Sequence, residues 1–294
     1  MVLASAVLGG PDIFIDGPTK QMAPGREPGE AAWARRVDVA SDLVRVVAEA
    51  RGAGVGQLKL YGDIEVSLAK ALIAEAHRQD LLVAAHATVF PAGPGELVAA
   101  GVDSLAHAPY LVWEGADAIP GDYRKRIDGP WATVPPDHPK LLALYARMAE
   151  RGVFLDATLY VYKAMNSFPG HPGAPWADAA FAWAAQATRL AHRAGVRVTA
   201  GTDWFEPGSD HELPHTHEEL ALLVEAAGFT PMEAIVAGTR NGAAALGMGE
   251  VRGTVAVGMA ADLLVLDADP LADLRNTQRG RMTVLQGTPV EPAE

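Results

Sequence analysis

With 294 residues, 49% hydrophobic and 20% charged, the chain has the composition of a globular protein able to bury roughly three quarters of its unfolded surface in one large domain. A formal net charge of −12 without any basic run argues against a nucleic-acid or anionic-membrane partner. The absence of cysteine excludes disulfides, thiolate nucleophiles and cysteine-held zinc, so any metal must be held by His, Asp, Glu or an altered lysine.

The opening MVLASAVLGG lacks the basic start of an export signal and is too short to cross a membrane; residues 2–8 read as a buried strand ended by Gly9, Gly10 and Pro11, and the protein as cytoplasmic. A Gly/Pro-rich charged loop over 14–28 follows. The pattern then predicts a helix over 30–51, stopped by Gly52, a strand over 55–60 and a helix over 64–79. His77, near the end of that helix, reads as a solvated residue interacting with the helix dipole. Strands are predicted over 81–86 and 102–107, with a short helix over 94–100 between them.

Residues 109–137 form a long loop and are assigned to a substrate lid. A helix over 139–151 leads to a strand over 153–160, a Gly/Pro/aromatic loop over 163–176 and a helix over 177–194. The stretch 196–204, VRVTAGTDW, alternates as a strand and stops at Gly201, Thr202 and Asp203. Helices follow over 216–227, capped by Thr216 with Glu219 three positions on, and over 231–246. The last block carries short β-runs with glycine turns and no helix, which makes a small β layer.

One design recurs along this order. Four apolar runs each end on a single polar group able to bind a metal: Lys59, His86, His107 and Asp203. Helical patterns of the length a βα unit needs separate them, so the four groups belong on one rim, where the C-terminal ends of parallel strands carry active sites. Each residue alone has a plainer reading as a salt-bridged lysine, a hydrogen-bonded core histidine or a turn aspartate. Together on one rim they read as ligands. Only six strands precede the β layer, over 2–8, 55–60, 81–86, 102–107, 153–160 and 196–201, whereas a closed barrel of this type needs eight.

With its motifs LKLYGD around Lys59, LLVAAHAT around His86, GVDSLAHAP around His107, AGVRVTAGTDW around Asp203 and GTVAVGMAADLLVLDADPL at 253–271, the chain resembles the metal-dependent amidohydrolase superfamily, in its imidazolonepropionase-like and Xaa-Pro dipeptidase-like branch. The resemblance implies an α/β fold: a TIM-like barrel, N-terminally incomplete, over 1–249, with a C-terminal β layer over 250–294. It further implies that Lys59 is carbamylated into a bridging ligand, that His86 and His107 bind metal, and that Asp203 binds metal and accepts a proton from the attacking water. Such an oxygen and imidazole site suits zinc or a similar divalent ion. The implied activity is hydrolysis of a C–N bond in an amide, cyclic amide or peptide-like small molecule, with no nucleic-acid or membrane partner and with room for a homo-oligomer.

The chain departs from this pattern in one respect. The superfamily places a His-x-His pair at the end of strand one, but no histidine precedes Lys59, and the one such pair, His215-Thr216-His217, follows the last barrel strand. The sequence therefore reads as an amidohydrolase lacking its N-terminal part, and the rival reading is a catalytically impaired remnant that binds a ligand or partner. Tyr160, Tyr162, His171 and His215 are the candidate substrate contacts. His211, His215 and His217 read as surface or substrate-contact residues rather than ligands, and His138 and His192 as surface residues.

Overall fold

A computed structural model of the chain describes residues 4–10, 24–25, 33–165, 174–204 and 215–290. Its centre is a seven-stranded parallel sheet in the order β2-β1-β3-β4-β5-β6-β7, made of β1 (Ala4–Gly9), β2 (Ala34–Arg36), β3 (Gln57–Gly62), β4 (Leu82–His86), β5 (Ser104–Ala106), β6 (Phe154–Asp156) and β7 (Val198–Thr199). Right through β3 to β7 each strand pairs with its successor, as βα units do. The intervening helices are α1 (Leu43–Gly52), α2 (Val66–Arg78), α3 (Pro94–Ala100), α4 (Pro139–Arg151), α5 (Leu159–Ala164) and α6 (Pro175–Arg193), followed by α7 (Thr216–Glu225) and α8 (Pro231–Val236). A separate three-stranded antiparallel sheet, β8 (Leu263–Leu266), β9 (Gly280–Leu285) and β10 (Thr288–Val290), makes the C-terminal β layer.

The helices form where apolar spacing and end signals agree. On α2, Leu68, Ala69, Leu72, Ile73 and Ala76 are buried against the sheet, and His77 and Arg78 lie in its last turn, where cations suit the dipole. His77 also meets Asp103 through Nε2, at 2.8 Å. The α4 helix buries Leu141, Leu144, Tyr145 and Met148; His138 caps it by accepting the Lys140 N–H, and Gly152 ends it in the left-handed conformation.

Three expectations are corrected. Residues 30–51 are not one helix: Ala34–Arg36 is the outer strand β2, paired with β1, and α1 begins only at Leu43. The breaks were local and polar. Asp38 accepts hydrogen bonds from the Ala40 N–H and the Ser41 hydroxyl, and Asp42 caps α1 by accepting from the Arg45 N–H. The strand expected over 153–160 stops at Asp156, because Thr158 turns into the left-handed region and α5 begins. Thr216 does not cap α7; His215 occupies that position, and the Glu219 side chain is used elsewhere. The helix expected over 231–246 is present: it runs in helical conformation from Pro231 to Ala245 with a wider, π-helical turn at Ala237–Asn241, and Thr230 and Glu233 make the capping box at its start.

Residues 109–137 contain two 3₁₀ helices, Ala108–Glu114 and Tyr123–Asp128, and Tyr110, Leu111, Val112 and Trp113 are buried in the main core. This segment is a packed wall of the site.

Leu105, fully buried at the centre of the sheet, reports on the whole core. Leu105→Ala is expected to lower the unfolding free energy by about 2–5 kcal/mol, measured by urea denaturation, with retention of the parallel-sheet circular dichroism.

Candidate metal centre

Parallel register sets the site. Lys59 pairs with Ala84 and Ala84 with Ser104; one step toward the strand ends, His86 pairs with Ala106, Ala106 with Asp156 and Asp156 with Thr199. Residues two apart on a strand share a face, so Lys59, His86 and Asp156 point to one side of the sheet. That side opens into a cavity of about 310 Å³ whose lining includes Gln57, Lys59, Ser104, Asp156 and Thr199, with Ala84, Ala106 and Gly201 leaving the space empty. His107 follows β5 directly and Asp203 lies four residues beyond β7.

Backbone strain marks the same rim. Five of the non-glycine residues with positive φ follow consecutive strands: Asp63 after β3, Phe90 after β4, His107 after β5, Thr158 after β6 and Asp203 after β7. Each costs free energy that packing must over-determine, and such residues gather at functional sites.

His86 and His107 are 3% and 4% exposed as residues, with ring centres 4.4 Å apart. Burial holds both well below the usual histidine range, and His107 and the Lys59 cation push His86 down further. Both are therefore neutral, the form that donates a lone pair to a metal. His107 meets the Thr158 hydroxyl through Nδ1 at 3.0 Å, and its Nε2 lies 3.9 Å from an Asp203 oxygen. The Nδ1 of His86 is buried with no hydrogen-bond partner among the described residues. Burial lowers the Lys59 ammonium, against the opposing pull of Asp203 and Asp156. Asp203 opens to the cleft with its side chain 60% exposed, yet crowding by the surrounding protein pushes its carboxyl up to about 6, with Lys59 drawing it down and Asp156 raising it.

These residues fit a metal as a partial donor set. Two neutral imidazoles, one with an orphaned buried nitrogen, stand beside an amine destabilised as a cation. Among the described residues, however, His, Asp and Glu alone form no group of three within metal-holding reach. The set reaches three only if Lys59 supplies an oxygen.

Around the imidazoles stand four of the chain's six tyrosines, Tyr61, Tyr110, Tyr123 and Tyr162. Their ring centres lie 4.4 Å (Tyr61), 5.4 Å (Tyr123) and 5.9 Å (Tyr110) from His86, and 6.4 Å (Tyr162) from His107. Burial raises all four phenols, so they remain protonated donors. The Arg126 guanidinium lies 4.7 Å over the Tyr123 ring. Of the predicted substrate contacts, Tyr162 belongs to this wall. Tyr160 stacks instead on His215 at 4.7 Å and meets Trp204 edge-on at 5.4 Å, next to Asp203. His217 reaches away to the Thr277 hydroxyl at 3.0 Å, and His192 stacks on Phe229 at 4.0 Å. His171 and His211 lie outside the described residues.

The reading from sequence missed Tyr61, Tyr110, Tyr123, Arg126, Asp156 and Glu219. Two had a signal: Tyr61 stands two residues after Lys59 on the same strand, and Asp156 ends an apolar strand on a polar group just as the four ligand candidates do.

A model of the amidohydrolase family matches residues 6–290. The chain belongs to the amidohydrolase family. Over 215 residues it is 29% identical to ochratoxinase of Aspergillus niger, a match covering 70% of this chain and 36% of that protein, so this amidohydrolase chain spans about a third of that relative's length. It is 43% identical over 84 residues to imidazolonepropionase of Deinococcus deserti, covering 29% of this chain and 20% of that one. The fold matches a Xaa-Pro dipeptidase solved with bound methionine, with a TM-score of 0.72, 18% identity and coverage of 99% of this chain and 68% of the other. The amidohydrolase fold expected from the sequence is thus present, as a parallel sheet with an appended antiparallel layer. No helix among the described residues is long and apolar enough to cross a membrane.

Behind the rim, Glu219 on α7 is fully buried; its two carboxyl oxygens accept the N–H groups of Leu159 (3.0 Å) and Tyr160 (2.6 Å) at the start of α5. Burial pushes its carboxyl up to about 8 despite those two donors, from an ordinary value of 4.5. The folded protein therefore holds a proton there that the unfolded chain releases, and stability falls as pH rises from about 4.5 through 8, by at most about 1.4 kcal/mol per pH unit. Chemical denaturation from pH 5 to pH 8 is expected to show this slope as the difference between wild type and Glu219→Gln, the variant lacking it.

Proposed function

We propose that the chain is a metal-dependent hydrolase of a C–N bond in an amide, cyclic amide or peptide-like small molecule, acting in the cytoplasm. What carries this reading is the rim itself: two buried neutral imidazoles, a half-buried lysine and a carboxyl near 6, carried on or just after β3, β4, β5 and β7. Family membership and the retention of this whole set favour an enzyme over a non-catalytic remnant.

In this proposal His86, His107 and Lys59 hold the metal, with Asp203 beside it and zinc as the ion. The neutral amine is the form that reacts with carbon dioxide, desolvation of Lys59 shifts it toward that form, and the resulting carbamate would give Lys59 the oxygen the donor set lacks. When bound, a divalent ion lowers the pKa of water and polarises a carbonyl. Asp203 is ionised at neutral pH yet basic enough to accept a proton from the attacking water, and it returns that proton to the leaving nitrogen. Protonated Tyr110 and Tyr123 offer hydrogen bonds to substrate oxygen, and the cation of Arg126 behind them favours an electron-rich group at that wall. Tyr160, Tyr162, His171 and His215 complete the proposed substrate contacts.

Elemental analysis tests the site: the chain is expected to carry near-stoichiometric zinc or manganese, and the Lys59→Ala, His86→Ala double variant none; equal metal in both sinks the assignment. Asp203→Asn is expected to keep its metal and lose about 10²–10⁴ in kcat on a panel of dipeptides, N-acyl amino acids and cyclic amides. Unchanged turnover would remove Asp203 from the chemistry.

A further inference from the structure

Asp156 is a carboxylate on the inner face of the sheet that the chemistry above leaves unused. It ends β6, whose pairing with β7 has only two rungs, Leu155 with Val198 and Asp156 with Thr199. Past that point the side chain takes over the ladder: Asp156 Oδ1 accepts the Gly201 N–H at 2.8 Å and the Thr199 hydroxyl at 2.9 Å. The contact is so close that a Cβ on Gly201 would collide with the carboxylate, which is why this position needs glycine. Two residues further on, Asp203 adopts its strained left-handed conformation, with φ 51°. The main chain of the same aspartate holds the other partner, since the Asp156 carbonyl accepts the His107 N–H at 2.9 Å.

We infer that Asp156 is the positioning residue of this site: its carboxylate fixes the end of β7 and thereby Asp203, while its carbonyl fixes His107, so one residue sets the approach of the two. The role is geometric. Any acceptor at Oδ1 meets it, and charge is not required. As a statement about catalysis it rests on the proton role proposed for Asp203; as a statement about the rim it does not.

The test compares wild type, Asp156→Ala, Asp156→Asn and Asp203→Asn in the full chain, by amide hydrogen exchange at 199–203, Co²⁺ titration and kcat against KM. Asp156→Ala is expected to speed exchange at Gly201 about 10-fold or more, with the amides of β3 to β5 unchanged, to weaken Co²⁺ binding about 10–100-fold, and to lower kcat with KM little altered. Asp156→Asn keeps the acceptor and is expected to restore all three to within about threefold of wild type. Wild-type exchange and Co²⁺ affinity in Asp156→Ala would overturn the inference, as would an Asn variant as impaired as the Ala variant, since charge would then matter. If Asp156→Ala does not fold, Asp156→Val removes the same acceptor with a side chain suited to a strand, and unchanged Gly201 exchange and Co²⁺ affinity there overturn it equally. The two readings separate cleanly. Lost turnover in Asp203→Asn beside a wild-type Asp156→Ala overturns positioning alone, whereas retained turnover in Asp203→Asn overturns the proton role and leaves Gly201 exchange to decide the positioning.

Discussion

Parallel pairing in strict succession from β3 to β7 is the constraint on which the site depends. It delivers the end of each strand to the same rim, so residues far apart in sequence, from Lys59 to Asp203, need no long-range design beyond register. A slip of one residue in any pair would turn its polar group to the helix-covered face, where burial without partners is costly. Hydrophobic residues on that outer face hold the register: Leu58, Leu60, Val83, Ala85, Leu105 and Leu155 are all fully buried.

The rim then sets electrostatics against packing. His86 and His107 are kept neutral, and the Lys59 ammonium is pressed toward losing its proton, because the surrounding protein desolvates them and Asp203 and Asp156 only partly offset this at the lysine. Asp203 experiences the opposite pressure and holds its proton more tightly. Desolvation by the surrounding protein thus moves a half-buried lysine and a cleft-facing aspartate toward one another, which favours proton traffic near neutral pH.

How much of this the sequence carried follows from the range of each signal. Strand-ending groups are local patterns, so Lys59, His86, His107 and Asp203 could be read from apolar runs that stop on one polar residue. β2 could not, because three residues with Ala34 alone buried carry no period, and the apolar Val37 and Val39 nearby suit a helix equally well. The tyrosine wall was hidden for another reason: Tyr61, Tyr110, Tyr123 and Tyr162 come from four different segments and share nothing in sequence. Glu219 was misread because an acidic residue in a first helical turn ordinarily serves its own helix, whereas this one serves the start of α5. Asp156 had a readable signal that was lost by extending its strand four residues too far.

The strand order has a consequence for how the protein behaves among its own copies. Placing β2 outside β1 gives the long strand β1 a neighbour on either side, and among the described residues the sheet's two outermost strands are then the three residues of β2 and the two of β7. Ladders that short, one carrying the arginines Arg35 and Arg36, offer an incoming strand almost nothing to template on. Among the described residues, the borders of the parallel sheet are thereby too short to invite edge-to-edge aggregation.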